Sequence, residues 1–108
     1  MAIDIEKRKP VFDNVTAGLS GPAIKPIALR MVWDLSAALG SQIPIVGMGG
    51  IACAADALEF LMAGAAAVQV GSATFAHPST MIETIEGIEH YMRRHSIASV
   101  NELSLHRL

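Results

Sequence analysis

Two short apolar runs without polar alternation, Ile43-Pro44-Ile45-Val46 and Ala66-Ala67-Val68-Gln69-Val70, constrain this chain more than any other feature. A strand with one wet face alternates apolar and polar residues, whereas a run that does not alternate is expected where both faces are covered, as in a parallel sheet. Parallel neighbours need a crossover, and the residues between the two runs supply it. Ala54, Ala57, Leu58, Leu61 and Met62 recur at helical spacing, with Asp56 and Glu59 outside and Gly64 near the end. The strand centres lie roughly 23 residues apart, a tight strand–helix–strand unit whose connection should be right-handed. Parallel strands are therefore expected near Ile43–Gly47 and Ala66–Val70, with helices on their outer side and both faces covered.

The flanking segments fit around this unit. Ile3 and Ile5 alternate with Asp4 and Glu6, and Lys7-Arg8-Lys9 reads as a turn into Pro10-Val11-Phe12, so a short hairpin is expected first. Asp13 to Pro22 has loop chemistry. Ile24, Ile27, Ala28, Met31, Leu35, Ala38 and Leu39 then mark an amphipathic helix with Pro26 in its first turn and Gly40 as its stop. After Pro78, Ile82, Ile85, Ile88 and Met92 mark another, with Glu89 and Arg93 paired on its wet side. Ser99-Val100-Asn101-Glu102 has capping-box form and should open a last short helix.

Both apolar runs end in small-residue turns, Gly49-Gly50 and Gly71-Ser72. Glycine lets backbone N–H groups approach a ligand closely, so two such turns on neighbouring strands form an anion cradle without lysine. The loops after the last two strands of a (β/α)8 barrel are a recurrent phosphate site. The alternative is that these glycines serve only tight turns and close packing. Other chemistry is poorly supplied. Cys53 reads as a buried structural thiol, His77, His90, His95 and His106 as surface or packing residues, Trp33 as an interface or core anchor, and Lys25 as a solvated first-turn lysine.

Composition narrows the remaining classes. A net charge of −2 and no basic stripe with interleaved aromatics argue against nucleic acid. One cysteine permits neither an internal disulfide nor an iron–sulfur cluster, which fits a reducing, cytoplasmic setting. The stretch from Phe60 to Ala76 is too short and too interrupted by Gly64, Gln69 and Gly71 for a membrane span, and the charged N-terminus is not a secretory signal. Apolar residues make up 52% of the chain and charged residues 17%, so either the core is unusually rich or some apolar surface is meant for a neighbour, and a homo-oligomer is expected.

The run from Gly18 to Arg30, with Ser20-Gly21-Pro22-Ala23-Ile24-Lys25-Pro26 at its centre, followed by Ile43 to Ile51, Asp56 to Phe60 and Val68 to Ser72, resembles class 1 dihydroorotate dehydrogenases over nearly the whole chain. Met48 stands where the fumarate-reducing subclass usually has cysteine, which makes the chain more similar to the NAD-linked 1B catalytic subunit. The resemblance implies an α/β fold, the C-terminal part of a (β/α)8 TIM barrel comprising its last two strands and their helices after a short hairpin, with residues 1–108 one partial domain. It implies FMN, with Ser20 and Gly21 approaching the flavin and the backbone at Gly49, Gly50, Gly71 and Ser72 holding the phosphate. It further implies oxidation of dihydroorotate to orotate in pyrimidine (UMP) biosynthesis, and an iron–sulfur, FAD-bearing electron-transfer subunit as partner. Where the family usually has a first glycine before Leu19, this chain has Ala17, a costly choice if that position needs φ > 0.

The family's catalytic cysteine base, its flavin-side lysine and its orotate-binding asparagines match nothing from Met1 onward, so no catalytic residue is assigned here and the chain alone is expected to be inactive. It looks like a truncated product, an internal translation start or an excised fragment. Two rival readings remain: a piece of another FMN- or phosphate-binding barrel, and a non-catalytic, self-associating module.

Overall fold

The computed structural model describes residues 1–107, in the order β1 (Ile3–Asp4), β2 (Lys9–Pro10), α1 (Lys25–Leu39), β3 (Val46–Met48), α2 (Ala54–Met62), β4 (Ala67–Gln69), α3 (Ala73–Ala76) and α4 (Thr80–Arg94). Single 3-10 turns lie at Pro22–Ile24, Val100–Glu102 and Leu105–Arg107. β1 and β2 form the expected antiparallel hairpin, but Lys9 is in the strand, opposite Asp4. The Asp4 carboxylate accepts the amides of Glu6 and Lys7, closing the turn before Lys9 is reached.

β3 and β4 are adjacent and parallel, with Val46, Gly47 and Met48 opposite Ala67, Val68 and Gln69, and α2 is the crossover between them. The first strand starts later than its apolar run. Pro44 has no N–H to donate, although the Ile45 carbonyl still accepts from Ala66 at 2.8 Å. Gly47 faces α2 because nothing larger fits: a Cβ there would stand 2.7 Å from Phe60 Cδ1. That close approach seats Phe60, which is fully buried, among Val32, Ile51, Ala57, Ala63 and Ala65. A second cluster joins Leu58 and Leu61 of α2 to Leu103.

Only the helix-side face of this sheet is covered. Val46 and Met48 are about half exposed, contrary to the expectation of two covered faces. A closed barrel fills its interior with side chains from all eight strands, and these two strands supply a part of that filling. The helices follow the same logic. α2 is flanked by α1 and α4 and is buried on both sides, whereas α1 packs on α2, α4 packs on α2 and the short α3, and each keeps an exposed apolar side.

Consequently α1 buries Val32 and Ser36 but leaves Ile27, Met31 and Leu35 exposed, and α4 buries Thr80 and Thr84 but leaves Ile82 and Ile85 exposed. The periodicity located both helices; of the residues it named, Ala28 and Ile88 pack against the core, while Ile27, Met31, Leu35, Ile82 and Ile85 do not. Glu89 and Arg93 are paired as expected, at 2.8 Å on the surface. The final capping-box segment is a single 3-10 turn, with Ser99 Oγ accepting from Asn101 N.

Thr84 is 3% exposed, and its hydroxyl has no partner among the described residues. An unsatisfied buried hydroxyl costs about 1–3 kcal/mol, and valine has nearly the same shape. Thr84→Val is therefore expected to stabilise the chain by about 1 kcal/mol, seen as a higher urea midpoint at unchanged slope. A lower midpoint would mean that the hydroxyl finds a partner in solution.

Candidate phosphate and cofactor site

The turns that leave β3 and β4 meet at the C-terminal ends of the two strands. There, with the loop preceding α1, they enclose a cavity of about 370 Å³. Ser20, Gly21, Gly49, Gly50, Gly71 and Ser72, the six positions singled out from the sequence, all line it, together with Leu19, Ile24, Met48, Ile51 and Gln69. Leu19, Ile24, Met48, Ile51 and Gln69 were not foreseen as lining. Gln69 was visible as the one polar residue interrupting an apolar strand.

The two turns are built differently. Gly49 and Gly50 have φ of 117° and 73°, in the left-handed region that favours glycine. A Cβ on Gly50 would stand 2.8 Å from the Gly21 carbonyl oxygen and 2.9 Å from Lys25 Cβ, so this turn lies directly on the loop and helix beside it. Gly71 is not among the glycines with positive φ, and a Cβ there would meet nothing within 4 Å. Ala17 is not among the residues with positive φ, so it causes no strain in the loop.

Among the described residues no Lys, Arg, Asp, Glu, His or Cys side chain lines the cavity. What it offers an anion is the backbone of its glycines with the side chains of Ser20, Gln69 and Ser72, which suits a phosphate and supplies no acid–base group. Two larger hollows lie elsewhere. One, of about 460 Å³, is at the N-terminal ends of the strands near Ile43 and Ala66, and the other is a shallow groove along Leu29, Trp33 and Met62 on the helix surface. Neither joins the glycine turns, and ligands of this architecture bind at the C-terminal strand ends.

Lys25 corrects the expectation of a solvated lysine. Its Nζ lies 2.6 Å from Asp56 Oδ1 and 3.0 Å from Glu59 Oε1, and it is about three-quarters buried. The spacing of Asp56 and Glu59 on α2 was the available signal, since residues three apart share a helix face. Hydrogen bonds that it donates to Asp56 and Glu59 hold the Lys25 ammonium above its ordinary pKa. Burial pushes the Asp56 carboxyl up, but hydrogen bonds from Lys25, the Ala52 amide and the Cys53 thiol outweigh it and hold the carboxyl below its ordinary value.

The two shifts set a window. The Asp56 contribution is fully present above the ordinary carboxylate range and is lost as pH falls through its lowered pKa; the Lys25 contribution is fully present below the ordinary lysine range and is lost as pH rises through its raised pKa. Asp56→Asn is expected to cost about 1 kcal/mol at neutral pH, and the difference from the parent chain should close on acidification below the carboxylate range. A difference that persists at low pH would assign the effect to packing.

Cys53 is exposed as the N-cap of α2, not buried, with Sγ 3.4 Å from Asp56 Oδ2. His77 has a carboxylate partner that spacing did not suggest: its Nε2 is 2.8 Å from Glu83 Oε1, on the surface. Hydrogen bonds from His77 and Ser79 hold the Glu83 carboxyl below its ordinary value. His95 packs on Tyr91 and His106 on Trp33. Among the described residues no three His, Cys, Asp or Glu side chains cluster as metal ligands, and no helix is long and apolar enough to cross a membrane.

The family model described as dihydroorotate dehydrogenase matches residues 1–92. This chain belongs to the dihydroorotate dehydrogenase family. Relatives include proteins of Porphyromonas gingivalis, 59% identical, and Pelobacter propionicus, 56% identical, each over 103 residues and each named "Dihydroorotate dehydrogenase B (NAD(+)), catalytic subunit". These alignments take in 95% of this chain and 33% of each relative, so the chain spans a third of the dihydroorotate dehydrogenases it matches. A ligand-free dihydroorotate dehydrogenase structure from Eimeria tenella superposes with a TM-score of 0.76 at 25% identity, over 87% of this chain and 27% of that one. A second structure of the Eimeria tenella enzyme gives a TM-score of 0.78 at 24% identity, over 98% of this chain and 28% of that one, a likeness of fold. The strand–helix–strand unit and its flanking helices are thus part of a dihydroorotate dehydrogenase TIM barrel.

Proposed function

We propose that this chain forms the FMN-phosphate end of an NAD-linked dihydroorotate dehydrogenase, which oxidises dihydroorotate to orotate in pyrimidine biosynthesis. The observation that carries the reading is the convergence of Ser20, Gly21, Gly49, Gly50, Gly71 and Ser72 on one cavity at the C-terminal ends of two parallel strands.

The residues suit the group. A phosphate dianion needs donors and no carboxylate, and the cavity walls carry backbone amides at glycines and no acidic side chain. Gly49, Gly50, Gly71 and Ser72 would hold the phosphate by their backbone, while Ser20 and Gly21 would border the flavin. FMN, when bound, supplies the hydride-accepting chemistry. This chain anchors and orients it, keeps water from one side of it and contributes barrel wall. The relatives' names call them catalytic subunits, which supports a partner subunit carrying electrons to NAD; by family resemblance that partner bears FAD and an iron–sulfur cluster. A cytoplasmic homo-oligomer is part of the same reading.

The test is a fused barrel in which this chain replaces the corresponding third of the Porphyromonas gingivalis relative. The purified fusion is expected to retain FMN, with dihydroorotate bleaching its absorbance. A folded fusion that binds no FMN would remove the reading. The exposed Val46, Met48, Ile27, Met31, Ile82 and Ile85 favour one second reading, a self-associating module. Concentration-dependent oligomers of the chain, with no flavin bound even by the fusion, would establish that reading instead.

A further inference from the structure

Lys25 does not line the cavity, yet it stands directly behind two of its walls. It is the first residue of α1, four positions after Gly21, and its own backbone amide lies 3.0 Å from where a Cβ on Gly50 would be. Its ammonium reaches Asp56 at 2.6 Å and Glu59 at 3.0 Å on α2. The second oxygen of Asp56 accepts the amide of Ala52 at 2.9 Å, two residues beyond Gly50. A ring of contacts therefore closes from the Gly50 turn through Ala52, Asp56 and Lys25 back to Gly50.

We propose that Lys25, held by Asp56 and Glu59, is a positioning residue of the phosphate cradle, fixing the Gly49-Gly50 turn against the Ser20-Gly21 loop without touching the anion. Three features carry it. The ammonium is committed to two carboxylates and so is not free to act as an anion ligand. Asp56 is bound at both oxygens, which ties the chain just after Gly50 to the start of α1. The Gly50 turn and the Lys25 backbone are in such close contact that a shift of α1 against α2 must move one cavity wall relative to the other. Groups that orient a site without touching its ligand gain their effect from this kind of locked geometry.

A purely electrostatic role makes a different forecast. Lys25 neutralises two carboxylates near an anion site, so charge alone predicts that Lys25→Met weakens phosphate binding while Asp56→Asn, which removes a negative charge, leaves it unchanged or tightens it. Positioning predicts that both weaken it, because both open the ring.

The inference rests on the reading that the cavity takes the FMN phosphate, and the fused barrel separates the two. FMN dissociation constants are measured by flavin fluorescence for the parent fusion, Lys25→Met, Lys25→Arg, Asp56→Asn and the Lys25→Met/Asp56→Asn double variant, alongside the melting temperature of each flavin-free protein. Methionine keeps most of the lysine stem, and arginine keeps the charge and the reach. Lys25→Met and Asp56→Asn are each expected to weaken FMN about tenfold, the double variant no more than either alone, and Lys25→Arg less than threefold. FMN affinity within twofold of the parent in Lys25→Met, whether or not its melting temperature falls, would leave Lys25 a stability residue only and overturn the proposal. Weakening by Lys25→Met with parental or tighter binding by Asp56→Asn would also overturn it, in favour of charge. A parent fusion that fails to bind FMN sinks the underlying reading instead.

Discussion

Given dihydroorotate, an artificial electron acceptor and FMN in excess, this chain alone is expected to give no turnover above background. Oxidation of a saturated carbon–carbon bond needs a base to take a proton as hydride leaves, and the one cavity that joins the glycine turns has no titratable side chain in its walls. The nearest candidate thiol, Cys53, caps α2 and is not among the lining residues. General-base catalysis is worth typically 10²–10⁴-fold, and orientation of the substrate supplies a further large share of the barrier. The chain has 108 residues, whereas a closed barrel takes roughly 250, so the walls that would grip a substrate must come from elsewhere. The assay compares the lone chain, the chain mixed with a polypeptide supplying the other two thirds of the Porphyromonas gingivalis relative, and the fused barrel. Activity only where the other two thirds are present would support the division of labour. Turnover by the lone chain would place a proton acceptor within these residues and overturn it.

What the sequence made legible follows from which forces are local. Strand–helix–strand order, the parallel pairing and the stop at Gly40 depend on periodicity and on residues with special backbone preferences, and these features are where they were expected. Gly49, Gly50, Gly71 and Ser72 were also legible as one site, because paired small-residue turns after neighbouring parallel strands converge, whereas Ser20 and Gly21 entered only through the family resemblance. Burial was less so. An outer helix of a barrel is apolar on two flanks, so Ile82 and Ile85 read as core from spacing alone although Thr84 and Ile88 are the residues turned towards α2. The Lys25–Asp56–Glu59 cluster escaped because its partners are about 30 positions apart, and no local rule brings a lysine in one helix to carboxylates in another. Cys53 was misjudged for a related reason: free cysteine is usually buried, but an N-cap position faces outward.

Replacing the two cavity glycines by valine should separate a glycine needed by the fold from one needed by the ligand. Gly50→Val forces a β-branched side chain to φ of 73° and drives its Cβ to 2.8 Å from the Gly21 carbonyl oxygen, a backbone atom that cannot swing away. The backbone conformation costs about 1–2 kcal/mol and the overlap about 1–3 kcal/mol more. A chain this small has a total stability of about 5–15 kcal/mol or less, so a large part of it would go, and loss of FMN in this variant would say nothing about the phosphate. Gly71→Val meets neither obstacle, since the position has no positive φ and nothing lies within 4 Å of the new Cβ. Its stability should stay within about 1 kcal/mol of the parent by urea unfolding. Yet Gly71 lines the cavity, and an isopropyl group there would keep a phosphate from the backbone of the second turn. Hydrogen bonds to a charged group are worth about 1.5–3 kcal/mol each, so losing one or two should weaken FMN in the fused barrel by about 100-fold. A Gly71→Val fusion that is stable and binds FMN with parental affinity would move the phosphate away from the β4 turn and leave the cradle one-sided. A stable fusion that has lost FMN assigns Gly71 to the ligand, because the fold gives no other reason for a side chain to be excluded there.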